Sequence, residues 1–424
     1  MLSWHQRVRM LEEENAFLKA KVEELENRLL AYENAHTPPS LKLNRPPKKP
    51  SPRRLGAKEG HPKWEREEPE PTGSVEYIEE KCPKCDAELG RPFRTERIIE
   101  EEIPKPQPVE VIEHLINHYE CPKCQKHVIA RNNAPKGRFG KNVQAHVTLL
   151  KFDDRLPLRK VVSSLERHYC LSLTNVGVFQ ITRQVAGKLE QPYQELIKRV
   201  RNARVVYCDE TKMRVDGVTF WLWTFATEQE TVFVIRKSRA KKVVEEILGE
   251  NFKGVIGCDG WTAYAQYPAF IQRCWAHLLR EIKKLNEQYD GVEGFYKSFK
   301  KMFKKVEQIR NKPPSLEVRQ ALFMQLKEEM QQLISEMNSY TQLRKFAGKV
   351  KNGLDYWFTC VIHLFVEPTN NTAERALREL VVQRKIIGGL RTEKGARIME
   401  TVTSMIATWK QQQLPLFATL KSHL

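Results

Sequence analysis

No window of this sequence approaches the roughly 20 consecutive apolar residues that cross a bilayer. Its most apolar stretch, Tyr356 to Val366, is short and carries Thr359 and His363. A secretory leader is not expected, because Glu12, Glu13 and Glu14 interrupt any apolar region near the first residue. Acidic side chains are in deficit: 53 Asp and Glu face 71 Lys and Arg, leaving a formal charge of +18 and a pI near 9.4. Such an excess favours a polyanionic partner, with nucleic acid ahead of an anionic membrane surface. A cytoplasmic protein is expected, in which nine cysteines stay reduced and clustered ones point to metal rather than disulfides. What is present is a foldable composition, 41% hydrophobic and 29% charged, in a chain of 424 residues that is long enough for several units.

Residues 1–33 carry a heptad pattern. Val8, Asn15, Val22 and Leu29 share one core position, and Leu11, Leu18, Leu25 and Tyr32 share the other. In a parallel pair Arg7 would face Glu12, Glu14 would face Lys19, Lys21 would face Glu26 and Arg28 would face Glu33. Asn15 at a core position favours an in-register, two-stranded coiled coil, so a homodimer or higher oligomer is expected. The competing reading is an amphipathic helix packed on its own chain. Residues 34–80 follow as a Pro-rich linker, basic at Arg45–Pro50 and Ser51–Arg54 and acidic near Glu65–Glu70.

Residues 81–135 contain Cys82-Pro-Lys-Cys85 and Cys121-Pro-Lys-Cys124. Two residues between paired cysteines let one tight turn present both sulfurs to an ion, so four thiolates predict a tetrahedral, structural Zn²⁺ site. The long spacer predicts strands such as Arg97 to Ile103 and Glu110 to Ile116. The alternative is two redox or incidental pairs, and His114, His118 and His127 read as nearby surface residues that could replace a ligand.

Residues 136–200 turn helical, over Leu158 to Tyr169 and Val176 to Leu189, with Thr174 or Asn175 as a cap. The pair could be a helix-turn-helix with Gln180, Thr182, Arg183 and Gln184 on exposed faces; any antiparallel helix pair reads alike.

From Ala203 the pattern is β-rich. Val205-Val-Tyr-Cys-Asp209 ends in a carboxylate and is followed by strand-like Thr219 to Ala226 and Thr231 to Ile235, which predicts a meander. After a helical stretch, Lys241 to Leu248, a second strand-like run, Val255-Ile-Gly-Cys-Asp259, also ends in Cys-Asp. An aspartate at a strand end is ordinarily a turn residue; two in the same context suggest a shared site. Downstream, Asn370-Asn-Thr-Ala-Glu374 opens a helix. There Asn371 and Glu374 form a capping-box pattern, and Glu374 is equally a third acid. Hard divalent cations in phosphoryl transfer need several converging carboxylate oxygens, which three such acids would provide.

The order of these features resembles the transposases of the insertion-sequence-66 type, which carry a triad of two aspartates and a glutamate on a ribonuclease-H-like fold. The resemblance rests on the coiled coil, the double Cys-x-x-Cys module and Arg155-Leu-Pro-Leu. It continues through Cys208-Asp-Glu-Thr211, Asp259-Gly-Trp-x-x-Tyr264, Cys274-Trp-Ala-His-Leu-Leu-Arg280 and Asn370-Asn-Thr-Ala-Glu-Arg375 with Arg384-Lys385. Leu55 to His61 is similar to a degraded copy of the family's Gly-rich linker motif. The resemblance implies an α/β fold: a ribonuclease-H-like catalytic domain over 201–385, with a helical insertion about 281–350 and a C-terminal helical segment over 386–424. Asp209, Asp259 and Glu374 would be the catalytic triad and would hold Mg²⁺ or Mn²⁺. His277, Arg280, Arg375, Arg378, Arg384 and Lys385 would contact DNA, although His277 with Arg280 also reads as a packed helix end; the Lys297 to Lys305 run could bind DNA or be a solvated helix face. Trp261 and Trp275 read as core. The implied partners are double-stranded DNA, both element ends and target, with element-encoded accessory proteins as a further class. Ile386-Ile-Gly-Gly-Leu-Arg391 departs from the family pattern. The alternative function is a non-catalytic, zinc-containing dimeric DNA-binding regulator.

Overall fold

The computed structural model describes residues 11–22, 25, 68–92, 94–101, 105–130, 134–135, 137–260 and 262–424. Two compact units divide the chain, Met1–Ile103 and Pro104–Leu424. The rest of the heptad pattern, most of the linker, the Leu55 to His61 motif and Trp261 lie outside the described residues.

In the first unit, helix α1 (residues 11–22) presents its apolar stripe openly: Leu11 is 63% and Leu18 53% exposed, with Val22 and Leu25 similarly bare. Further along, Cys82 opens a tight knuckle in which Asp86 N donates to Cys82 O at 2.9 Å and Cys82 N donates to Ala87 O at 2.9 Å. Asp86 takes the left-handed conformation, φ 61°, that reverses the chain.

In the second unit the knuckle recurs. Gln125 N donates to Cys121 O at 2.7 Å, Cys121 N donates to Lys126 O at 3.0 Å, and Gln125 has φ 55°. Short antiparallel strands β1 (His118–Glu120) and β2 (His127–Ile129) flank it. The strands expected at Arg97 to Ile103 and Glu110 to Ile116 do not form among the described residues. Ile98, Val111 and Ile112 are strongly exposed, so β-branched side chains there have no neighbouring strand or face to pack on.

Helices α2 (Lys141–Phe152), α3 (Leu158–Tyr169) and α4 (Asn175–Arg201) enclose a small core of Val147, Leu150, Val161, Leu165, Val178 and Ile181. Cys170 ends α3 at φ 49°, and Thr174 starts α4 by accepting from Gly177 N at 3.1 Å. Arg183 and Gln184 are exposed as expected, but Thr182 is buried and donates to Phe179 O. The reason is that α4 runs on to Arg201, and its inner face takes Thr182 along with Val178, Ile181 and Val185.

The core is a five-stranded mixed sheet in the order β5-β4-β3-β6-β7. Strands β3 (Val205–Val215), β4 (Val218–Ala226) and β5 (Thr231–Arg236) form the antiparallel meander. Asp216 and Gly217, both at positive φ, make its first two-residue turn. Helix α5 (Lys241–Leu248) then crosses over, and β6 (Val255–Cys258) and β7 (Phe270–Arg273) add in parallel beside β3, with the short α6 (Thr262–Ala265) between them. Gly257 lets β6 lie against β3, since a Cβ there would meet the Tyr207 ring at 2.4 Å.

Between β7 and α12 (Asn371–Ile387) stand α7 (Trp275–Gln288), α8 (Glu293–Asn311), α9 (Leu316–Asn338), α10 (Arg344–Lys351) and α11 (Thr359–Ile362). They share a second core that includes Trp275, Phe299, Met330, Phe346 and Phe358. The last long helix, α13 (Glu393–Gln411), packs on the sheet and is followed by α14 (Leu416–Ser422).

Strand β5 is a sheet edge, and α13 closes it with polar side chains. Glu400 Oε1 accepts from Ile235 N at 2.9 Å, Ser404 Oγ from Phe233 N at 2.8 Å, and Thr408 Oγ1 from Thr231 N at 3.1 Å. Four helical residues advance about 6 Å and two strand residues about 6.6 Å, so a four-residue polar repeat matches every second amide of the edge.

Candidate active site

Asp209 lies within β3, and Asp259 directly follows β6. The register pairs Val205 with Val255 and Tyr207 with Gly257, so continuing it two residues sets Asp209 level with Asp259 on adjacent parallel strands. The run of small and apolar residues before each acid keeps both strands buried up to the point where the carboxylates emerge.

Asp209 is largely buried, and its carboxyl is pushed up to about 7. Burial is the main cause, followed by the charges of Glu210, Asp259 and Glu374; the Glu210 amide, donating to Asp209 Oδ1 at 2.9 Å, partly offsets them. Three acids therefore act on a fourth, an arrangement that a bound cation would relieve.

Glu374 occupies the first turn of α12. Its capping reading fails. The N-cap is Asn370, one residue earlier than Asn371, and no side chain caps the helix. Asn370, 1% exposed, instead directs Nδ2 to Cys208 O at 2.7 Å, and its own N–H goes to Cys274 Sγ at 3.1 Å. This residue thus joins the strand of Asp209 to the helix of Glu374, leaving the Glu374 carboxylate for other partners. Arg280 Nη2 donates to Glu374 Oε1 at 3.0 Å, and His277 Nδ1 stands 3.5 Å from the same oxygen. Burial and Arg280 lower the His277 pKa, while Glu374 and Asp259 raise it in part. His277 and Arg280 therefore belong to the same electrostatic neighbourhood as Asp209, Asp259 and Glu374.

The other basic candidates separate. Arg378 and Lys385 are exposed on α12. Arg375 is also exposed, and it lines a cavity of about 280 Å³ with Phe152, Thr231 and Leu380. One helical residue turns the side chain by about 100°, which sets Arg375 on a different side of α12 from Glu374. Arg384 is half-buried; it donates to Thr211 Oγ1 at 3.2 Å and to Lys212 O, buttressing β3 just beyond Asp209. In the lysine run, Lys297 is exposed, whereas Lys305 bonds both oxygens of Glu329 at 2.8 Å. Trp275 is fully buried and donates to Trp357 O at 2.7 Å, as its core reading requires.

Sequence reasoning missed Glu210. Alternation along β3 sends it into the interior, where Arg239 donates to it at 2.9 and 2.6 Å and Tyr264 Oη donates to its other oxygen. A charged residue inside an apolar strand run was the available signal. Arg273, 6% exposed beside Asp259, was missed likewise; it donates to Lys349 O at 3.3 Å and ties β7 to α10.

The described residues contain one convergent set of three metal-capable groups, Cys274, His277 and Glu374, whose ligand atoms all lie within 4.8 Å of one another. The three acids Asp209, Asp259 and Glu374 do not meet that spacing. At the knuckles, amide N–H groups of Lys84 and Cys85 pull the Cys82 thiol down, and those of Cys124 and Lys123 do the same for Cys121. Such amide-solvated sulfurs fit thiolate ligands of a zinc ion. No helix among the described residues is long and apolar enough to cross a membrane.

The chain is 22% identical to the uncharacterized protein y4qI of Sinorhizobium fredii over 305 residues, 63% of this chain and 55% of that protein. It therefore spans about half the length of that relative. The family model described as "Transposase IS66 family" matches residues 136–398, more than half of the chain, with Asp209, Asp259, His277 and Glu374 all inside the match. The chain belongs to the IS66 transposase family.

Proposed function

We propose that this protein cuts and joins DNA as the transposase of an insertion sequence, with Asp209, Asp259 and Glu374 as the catalytic acids of a ribonuclease-H-like core. The observation that carries the reading is the level placement of Asp209 and Asp259 on adjacent parallel strands, with Glu374 near enough to raise the Asp209 pKa. The sheet order, three antiparallel strands and then two parallel ones beside the first, supports the ribonuclease-H-like assignment.

Mg²⁺ or Mn²⁺, when bound, supplies activation of a water or 3′-hydroxyl and neutralises charge on the leaving oxygen. The chain's own part is to hold the acids. The buried strands fix Asp209 and Asp259, Asn370 links β3 to α12, and Arg280 holds the Glu374 carboxylate, with His277 beside it. Arg378 and Lys385 would meet phosphates on the exposed side of α12. Cys82, Cys85, Cys121 and Cys124 would bind Zn²⁺ and shape a module that, with the α3–α4 pair, recognises element ends. The open apolar stripe of α1 would be buried in a homodimer.

Purified protein with labelled element-end DNA and Mg²⁺ tests this. Nicking at the boundary is expected, and Asp209→Asn, Asp259→Asn and Glu374→Gln should each lower it by about 10³-fold or more while DNA binding persists. Cleavage that survives all three changes would show that other carboxylates do the chemistry. Tight binding without cleavage in wild type would favour the regulator.

A further inference from the structure

The cysteine knuckles have a counterpart at the active site. Cys274-Trp-Ala-His277 spaces its two donors as Cys82-Pro-Lys-Cys85 does. At the knuckles each leading sulfur receives the amides of the second and third residues onward, Lys84 and Cys85, or Lys123 and Cys124. Cys274, at the N-cap of α7, receives the amides of Ala276 and His277 in the same way, and in addition Asn370 N at 3.1 Å. Burial pushes this thiol up, and those three amides pull it back. His277 Nδ1 is enclosed and makes no hydrogen bond, its distance to Glu374 Oε1 being 3.5 Å. Sulfur, imidazole and carboxylate all lie within 4.8 Å of one another.

We propose that Cys274, His277 and Glu374 form a binding site for a soft divalent cation, of which Zn²⁺ is the type, and that its occupancy withdraws Glu374 from the catalytic acids. A thiolate with an imidazole selects zinc over magnesium, whereas Asp209 and Asp259 offer only hard oxygens. Three protein ligands leave the fourth zinc position to water. Arg280, exposed at 59% of its side chain, can swing off the carboxylate as the ion arrives. Zinc would thus switch the enzyme off through an acid that it shares with the active site. The inhibitory half of the proposal rests on Glu374 being the third catalytic acid; the binding half does not.

Cobalt(II) serves as the optical probe, because a thiolate ligand gives a strong near-ultraviolet charge-transfer band. Full-length wild type and Cys274→Ser are titrated side by side; serine keeps an acceptor for the Asn370 amide, and an unchanged melting temperature verifies the fold. The knuckle cysteines contribute equally to both proteins and cancel in the difference. Wild type should bind one more equivalent of Co²⁺ than the variant, with a thiolate band in the difference spectrum. An identical spectrum and stoichiometry overturns the site.

In Mg²⁺-dependent nicking, added Zn²⁺ should inhibit wild type. Measured against its own zinc-free rate, Cys274→Ser should need about tenfold or more zinc for the same fractional inhibition. Binding without any effect on nicking overturns the switch. Nicking by Glu374→Gln at the wild-type rate would then place the failure in the role given to Glu374 rather than in the zinc site.

Discussion

Asp209 shows how burial and charge set what one side chain does. Its carboxyl ordinarily titrates near 3.9, and in the folded chain it titrates near 7. A raised acid favours the fold where it is protonated, so its stabilising contribution is full below about pH 4 and lost as pH rises through about 7. Metal-free Asp209→Asn should therefore melt above wild type at about pH 8, by up to about 4 kcal/mol of stability, and at the wild-type temperature near pH 4. Calorimetry at the two pH values checks this, and a variant that melts lower at both would show that the carboxylate is held by a favourable contact. If Asp209 is a ligand of the divalent cation, as proposed, cation and proton compete for it, and the apparent Mg²⁺ affinity should rise with pH through about 7. The neighbouring cluster, Glu210 with Arg239 and Tyr264, shows why the residue scale was only half legible. Asp209 was visible because it ends an apolar run, whereas Glu210 took its meaning from two side chains contributed by distant segments.

At the scale of elements, local pattern carried most of the assignment. The meander, α3, α5 and the cap at Thr174 follow from β-branched runs, helical periodicity and a hydroxyl placed before a helix. The expected strands before the second knuckle failed because strand propensity without a partner does not make a strand. The pairing of α13 with the edge of β5 was not legible either, since Glu400, Ser404 and Thr408 look like an exposed polar stripe until β5 is beside them. Buried amides that lose their acceptor cost about 1–3 kcal/mol each. Ser404→Ala should lower the unfolding free energy from denaturant titration by that order, and Ser404→Thr, which keeps the hydroxyl, should lose less. Equal losses would mean that packing rather than the acceptor matters.

Across the whole molecule the excess of 18 positive charges sets the expected binding behaviour. Association with DNA should weaken steeply and log-linearly as salt rises, because phosphate contacts release counterions. Fluorescence anisotropy over a salt series measures the slope; a flat dependence would remove the electrostatic argument for a nucleic-acid partner. The closure of β5 by α13 also has a consequence for how the chain is made. The edge strand is synthesised some 165 to 177 residues before the side chains that satisfy its amides. Until the ribosome has passed Thr408, the nascent sheet carries a bare edge, so a transcript broken earlier would yield a sticky fragment. Fragments that stop short of Glu400 should therefore expose the β5 amides and aggregate or be degraded faster than chains that include α13.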